Sequence, residues 1–115
     1  MVGPANVPDV GDLVWLSFSP QAGHEMSGRR PALVLSPRSY NEKTGLALAC
    51  PVTSRSKGYP FEVHLPAGGS IAGVVLADQV RCVDWRARRA QLASRVLPRT
   101  VGEVLSKLSA ILPGV

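Results

Sequence analysis

Residues 28–37 read GRRPALVLSP. Ala32 to Leu35 is a short continuous apolar run closed by Ser36-Pro37, the pattern of a buried strand, although periodicity alone leaves a buried helical turn open. Pro31 is placed as the first residue of that strand, where a proline costs no ladder hydrogen bond. Arg29 and Arg30 stand where the chain enters its core. A guanidinium does not give up its charge, so burying one without a partner is costly. The pair is therefore either a surface turn with two solvated cations or an anion site backed by a rigid strand.

The neighbouring segments extend the same pattern. Upstream, Leu13 to Phe18 is apolar enough for a strand, and residues 19–30 form a polar, Gly-containing loop. Downstream, residues 39–45 fit a turn or a single helical turn, and Leu46 to Val52 is a third strand. Thr53 to Gly58 is a second polar loop. Phe61 to Leu65 alternates, with Phe61, Val63 and Leu65 facing inward and His64 facing solvent. Further short strands fall at 73–76, 79–83 and 90–96. The period then changes. Val101, Val104, Leu105, Leu108, Ile111 and Leu112 repeat at helical spacing, Thr100 and Glu103 form a T-x-x-E capping box, and Pro113-Gly114 stops the helix. Short strands followed by one helix predict a mainly β chain: a small, strongly curved antiparallel barrel or sheet with a C-terminal helix packed on it.

At 115 residues and 45% hydrophobic content, a single domain spanning 1–115 with its own core is expected. The formal net charge is +5 and the pI about 9.9, a balance that favours polyanionic partners: nucleic acid, an anionic membrane or an acidic protein. No apolar run approaches the length of a membrane span, and the first residues lack a signal-peptide pattern, so a soluble cytoplasmic protein is expected. Cys50 and Cys82, with His24 and His64, lack the paired spacing of a structural zinc site. They read as buried free thiols, with no metal and no cofactor implied.

Three polar segments are candidates to converge at strand ends: Glu25 to Arg30, Thr53 to Lys57, and Asp78-Gln79. Loops carried on a rigid scaffold are where function concentrates. The first two supply guanidinium groups, a lysine, a carboxylate and hydroxyls, a set suited to a phosphodiester, because the planar arginine fork matches phosphate oxygens. The alternative is a ring of solvated loops. His24, in the first loop, and Ser54, Arg55 and Lys57, in the second, are candidate contacts for a nucleic-acid backbone. Tyr59 and Phe61 offer aromatic faces, although the alternation of Phe61 with Val63 and Leu65 favours the core. Trp15 reads as core or dimer interface. Trp85 reads as partly exposed, followed by the cluster Arg86, Arg88 and Arg89, which is a surface for a polyanion or an acidic partner or else a solvated turn. Gln79 reads as strand-end structure or a base contact.

Several motifs in one order carry a resemblance. GDLVWLSFSP (11–20), GRRPALVLSP (28–37), PVTS (51–54), SKGYPFEV (56–63), ADQV (77–80) and WRAR (85–88) resemble the MazF/PemK toxins of bacterial toxin–antitoxin systems, most closely the MazF branch. The resemblance runs from about Asp9 to the C-terminal helix. It implies an SH3-like β-barrel with a C-terminal helix, working as a homodimer. It also implies metal-independent, sequence-specific cleavage of single-stranded RNA by attack of the 2′-hydroxyl, silenced by an acidic, MazE-like antitoxin. The family's arginine before proline falls on Arg30, its catalytic threonine on Thr53 and its loop glutamate on Glu25. Arg29 stands where relatives often carry histidine, and is a candidate for RNA affinity. Arginine is a poor base, so charge stabilisation is the stronger role for Arg30. Glu25 fits either as base or as a group that orients an arginine. Two rival readings share the fold: a CcdB-type toxin that acts on DNA gyrase without cutting RNA, and a non-catalytic RNA-binding barrel.

Overall fold

The computed structural model describes residues 7–18 and 28–114. Along the chain these form β1 (Asp12–Phe18), β2 (Gly28–Val34), α1 (Arg38–Thr44), β3 (Leu46–Thr53), β4 (Glu62–His64), β5 (Val74–Leu76), a 3-10 turn at Ala77–Gln79, β6 (Arg81–Asp84), β7 (Gln91–Arg95) and α2 (Pro98–Ile111). Every strand pairing is antiparallel, in the order β4-β5-β3-β2-β1-β7, with β6 also on β3. The expected antiparallel sheet with a C-terminal helix is present. Its pairing path is open, with β4 and β7 at the ends.

β3 is the strand that shapes the sheet. One edge pairs with β2, from Val34↔Ala49 to Ala32↔Pro51. The other edge is divided: Leu46 to Ala49 pair with β6, and Val52-Thr53 pair with β5. Leu48 turns its amide to the β2 side, where it accepts from the Leu35 N–H and donates to Ser36 Oγ. Alternation then directs the nitrogen of Pro51 to the divided edge, between the end of the β6 pairing and the start of the β5 pairing. A proline costs least where no ladder bond is formed.

The two faces of the sheet hold separate cores. Leu13, Leu33, Cys50, Val52, Val63 and Val75 pack under Val104 and Leu108 of α2. On the opposite face Val14, Leu16, Ala32, Val34, Ala47, Ala49 and Val83 pack with Val7 and Trp85. Asn41 of α1, fully buried, closes this second face: its amide donates to the carbonyls of Pro8 and Ser36, its side-chain oxygen accepts from Ser36 Oγ, and its carbonyl accepts from the Trp85 indole. None of the described helices is long and apolar enough to cross a membrane.

Several expectations are corrected. Strand β2 begins at Gly28 instead of Pro31, because Gly28 to Pro31 already pair with β1. Residues 39–45 lie largely in a helix of seven residues, ended by Gly45 in the left-handed conformation. Helix α2 starts at Pro98, two residues before the capping box, and Leu97 at its N-cap makes no side-chain bond. A proline's fixed φ favours the first turn, and Thr100, within that turn, is buried instead of capping. The strand expected at 79–83 is shifted to 81–84 because the 3-10 turn takes Ala77–Gln79. Trp85 is buried, its indole N–H satisfied by Asn41 and its ring covered by the Arg86 guanidinium at 4.9 Å. Cys50 is buried but Cys82 is exposed, since in β6 only Val83 points into a core.

Burial pushes the Cys50 thiol up to about 12, with a further contribution from the charge of Asp78. The thiolate is the reactive form. Alkylation of the folded protein at neutral pH, read by mass spectrometry, is therefore expected at Cys82 alone, and Cys50 should react only after denaturation.

Candidate active site

Arg30 and Thr53 come from adjacent strands that are each held on their far side. Arg30 pairs with Leu16 of β1, and Thr53 pairs with Val74 of β5. Between them the β2–β3 ladder stops at Ala32↔Pro51. The reason lies in Pro31. The Leu35 N–H points across to β3, and alternation turns the nitrogens of Leu33 and Pro31 to that same edge. Pro31 has no N–H to give, so the ladder ends where it would have bonded. The register carried two residues further sets Arg30 opposite Thr53 on one face of the sheet, with no ladder bond between their backbones.

Both side chains are half-buried. Thr53 Oγ1 accepts the Arg55 N–H at 3.2 Å, which leaves its hydroxyl proton free to donate. The end of β3 is fixed by close backbone packing. At Gly73 (φ +125°), an added Cβ would lie 2.1 Å from the Thr53 carbonyl oxygen and 2.9 Å from its carbon. Only glycine permits that approach. The exposed His64 lies in the same row, beyond Val74, about 10 Å from Thr53 at ordinary strand spacing.

Arg29 points to the opposite face from Arg30. Its guanidinium donates to Ser17 Oγ (2.5 Å), to the Arg89 carbonyl (2.8 Å) and to the Trp15 carbonyl (3.2 Å). Ser17 N–H in turn donates to the Arg88 carbonyl at 2.7 Å. Arg29 thus ties β1 and β2 to the Trp85–Arg89 turn, which ends on Arg89 in the left-handed region (φ 57°). The two arginines have different surroundings although they are adjacent in sequence.

The segment from Ser54 to Pro60 leaves Thr53 as an exposed loop and re-enters the sheet at β4. Lys57 and Tyr59 form a cation–π pair at 5.9 Å. Beneath the loop sits Glu62, which alternation had assigned to the solvent side and which is buried. One carboxylate oxygen accepts from Ser56 Oγ (2.7 Å) and the Gly58 N–H (3.2 Å), the other from the Lys57 N–H (2.9 Å). Lys107 of α2 donates to the Pro60 carbonyl at 2.6 Å. Sequence reading missed both Glu62 and Gly73. The available signal was a carboxylate, Glu62, placed directly after a loop dense in donors.

Ser54, Arg55, Lys57 and Tyr59 therefore share one loop contiguous with Thr53. Gln79 is exposed on the 3-10 turn, and no bond joins it to Arg30, Thr53 or that loop. Glu25 and His24 lie outside the described residues. Among the described residues no three His, Cys, Asp or Glu side chains gather as metal ligands.

Two consequences are measurable. Gly73→Ala should displace the end of β3 and cut activity at least about tenfold, a 1.4 kcal/mol barrier change, while a distant glycine with open space, such as Gly102→Ala, should leave it unchanged; steady-state kinetics compare the two. The Ser56 hydroxyl, then the Lys57 N–H, hold the Glu62 carboxyl below the ordinary carboxylate range. A lowered native pKa contributes stability that is fully present above the unfolded value of about 4.5 and lost as pH falls through the native value. Denaturation midpoints of the wild type should fall across that window, and Glu62→Gln should lose that part of the decline.

Comparison with known proteins identifies the family. The family model for the PemK-like, MazF-like toxin of type II toxin–antitoxin systems matches residues 9–112. The endoribonuclease toxin MazF of Escherichia coli K12 is 49% identical over 106 residues, covering 92% of this chain and 95% of that protein. The endoribonuclease PemK of Escherichia coli is 42% identical, covering 86% and 78%. A crystal structure of MazE-MazF from Deinococcus radiodurans superposes with a TM-score of 0.89 at 60% identity, covering 95% of this chain and 98% of that one. The chain belongs to the PemK-like, MazF-like toxin family.

Proposed function

We propose that this protein is a sequence-specific endoribonuclease toxin that cuts single-stranded RNA without a metal ion and is silenced by an acidic, MazE-like antitoxin. The observation that carries the reading is the gap in the β2–β3 ladder. It leaves a half-buried guanidinium, Arg30, with no hydrogen-bond or ion-pair partner among the described residues, and sets the Thr53 hydroxyl across from it. The named endoribonucleases among its relatives support the same reading.

In this mechanism the substrate's 2′-hydroxyl loses its proton and attacks phosphorus. The P–O5′ bond breaks, and the leaving 5′-oxygen takes up a proton. The products are a 2′,3′-cyclic phosphate and a 5′-hydroxyl. Arg30 offsets the charge that builds on the phosphorane oxygens, and Thr53 donates to one of them. A preorganised donor aimed at developing charge is worth on the order of 100-fold or more in rate. Glu25 is assigned to proton transfer or to orienting Arg30. Ser54, Arg55, Lys57 and Tyr59 bind the flanking RNA, with Gln79 and His24 as further base or backbone contacts. Arg29 adds positive charge from a fixed position.

The working form is a homodimer in the cytoplasm. Leu105 and Ile111 of α2, with Leu112 just past its end, are exposed apolar side chains that suit an interface with another chain. A formal charge of +5 suits an acidic antitoxin.

Cleavage of a long defined RNA in excess EDTA, mapped by primer extension with end-group analysis, tests the reading. Cuts at a recurrent short motif with cyclic-phosphate ends are expected, and Arg30→Ala should lower the rate at least about 100-fold with the circular dichroism spectrum unchanged. Loss of cutting on chelation contradicts the metal-free route. Intact RNA retarded on a gel points to a binding module, and inhibition of gyrase supercoiling without RNA damage points to a CcdB-type activity.

A further inference from the structure

We propose that Glu62 is the positioning residue that shapes the RNA-contacting loop, and that it must be an ionised carboxylate to do so. The proposal rests on the reading of residues 54–60 as a substrate-binding loop. Residues 54–60 are all exposed and form no helix or strand. Such a segment has little packing to hold it in one shape. Among the described residues it is held by Thr53, whose Oγ1 accepts the Arg55 N–H, by Lys107, bonded to the Pro60 carbonyl, and by Glu62, whose N–H donates to the Tyr59 carbonyl and whose carboxylate alone reaches three loop residues, Ser56, Lys57 and Gly58.

The backbone N–H groups of Lys57 and Gly58 turn inward together. Successive inward N–H groups make a concavity suited to an anion. Here the chain's own carboxylate fills it. Two consequences follow for RNA. The concavity is not a phosphate site, because Glu62 already occupies it. The outward surface of the loop, with the Lys57–Tyr59 pair and Arg55, is the part presented to the substrate, and its shape is fixed before RNA arrives. A preorganised loop loses less freedom on binding, which raises affinity.

The chemistry of the partners makes the carboxylate specific. The Lys57 and Gly58 N–H groups can only donate. A glutamine at position 62 has one acceptor oxygen and one NH2 group. In either orientation the NH2 meets a backbone N–H: that of Lys57, or that of Gly58. Ser56 can rotate its hydroxyl to adapt, but the amides cannot. Glu62→Gln, close to isosteric, should therefore release the loop while leaving Thr53 and Arg30 in place.

Amide hydrogen exchange, followed by NMR on the full chain without RNA, is the first measurement. In the wild type the Lys57 and Gly58 amides should be protected, and in Glu62→Gln their protection should fall at least tenfold while amides of β2 and β3 keep theirs. Cleavage kinetics on a short single-stranded RNA form the second. KM should rise about tenfold in Glu62→Gln with kcat within about twofold, and Ser56→Ala, which keeps the carboxylate and both backbone bonds, should raise KM by no more than about threefold. Unchanged protection at Lys57 and Gly58, or a fall in kcat with KM unchanged, overturns the proposal. If Glu62→Gln does not fold, Ser56→Ala decides by itself: the small KM increase with kcat retained supports the proposal, and a kcat loss overturns it. A wild type that cuts no RNA removes the function assigned to the loop, and the exchange result then still decides whether Glu62 holds it.

Discussion

A hydrogen bond that cannot form organises this molecule. Pro31 sits inside β2 with its nitrogen turned toward β3, and it has no proton to donate. The ladder between two central strands ends there, while each strand stays paired on its other side: β2 to β1 through Gly28, β3 to β5 through Thr53. A sheet normally satisfies every interior amide. Here the interruption is bounded by intact ladders, so it costs little order and creates a place where backbone does not fill the space between neighbouring strands. Arg30 and Thr53 flank that place.

Two adjacent arginines meet different surroundings beside this place. Strand alternation sends Arg29 and Arg30 to opposite faces. Arg29 spends its donors on Ser17, Trp15 and Arg89 and fastens the basic turn to the sheet. The Arg30 guanidinium has no hydrogen-bond or ion-pair partner among the described residues, and is the cation proposed to meet the substrate. A cation held by rigid strands needs little reorganisation when charge develops on a phosphate, which suits the role proposed for Arg30. The Thr53 side has its own supports: Gly73 lets the start of β5 press against the Thr53 carbonyl, and Glu62 fills the underside of the adjoining loop.

Much of this was legible in the sequence. Apolar runs located the strands, and helical spacing located α2, because burial imposes period two or period 3.6 on the chain. The arginine–proline pair and Thr53 stood out as residue types suited to a phosphodiester, and the fold sets them on adjacent strands. Residues that act through tertiary contact were not. Glu62 reads as an outward carboxylate until the loop is seen to fold over it. Trp85 reads as a surface aromatic until Asn41, 44 residues away, accepts its indole proton. The helix start was misplaced because a capping pattern and a first-turn proline competed, and the proline prevailed. Gly73 carries no signal by itself, since its requirement is a neighbour's carbonyl.

The central claim is that Arg30 and Thr53 act on one phosphate. A double-mutant cycle measures this directly: single-turnover cleavage rates of the wild type, Arg30→Ala, Thr53→Ala and the double variant on one RNA. Groups that serve the same transition-state charge are strongly non-additive. The account predicts that the double variant is scarcely slower than the slower single variant. Rate losses that multiply, as for independent sites, would contradict it.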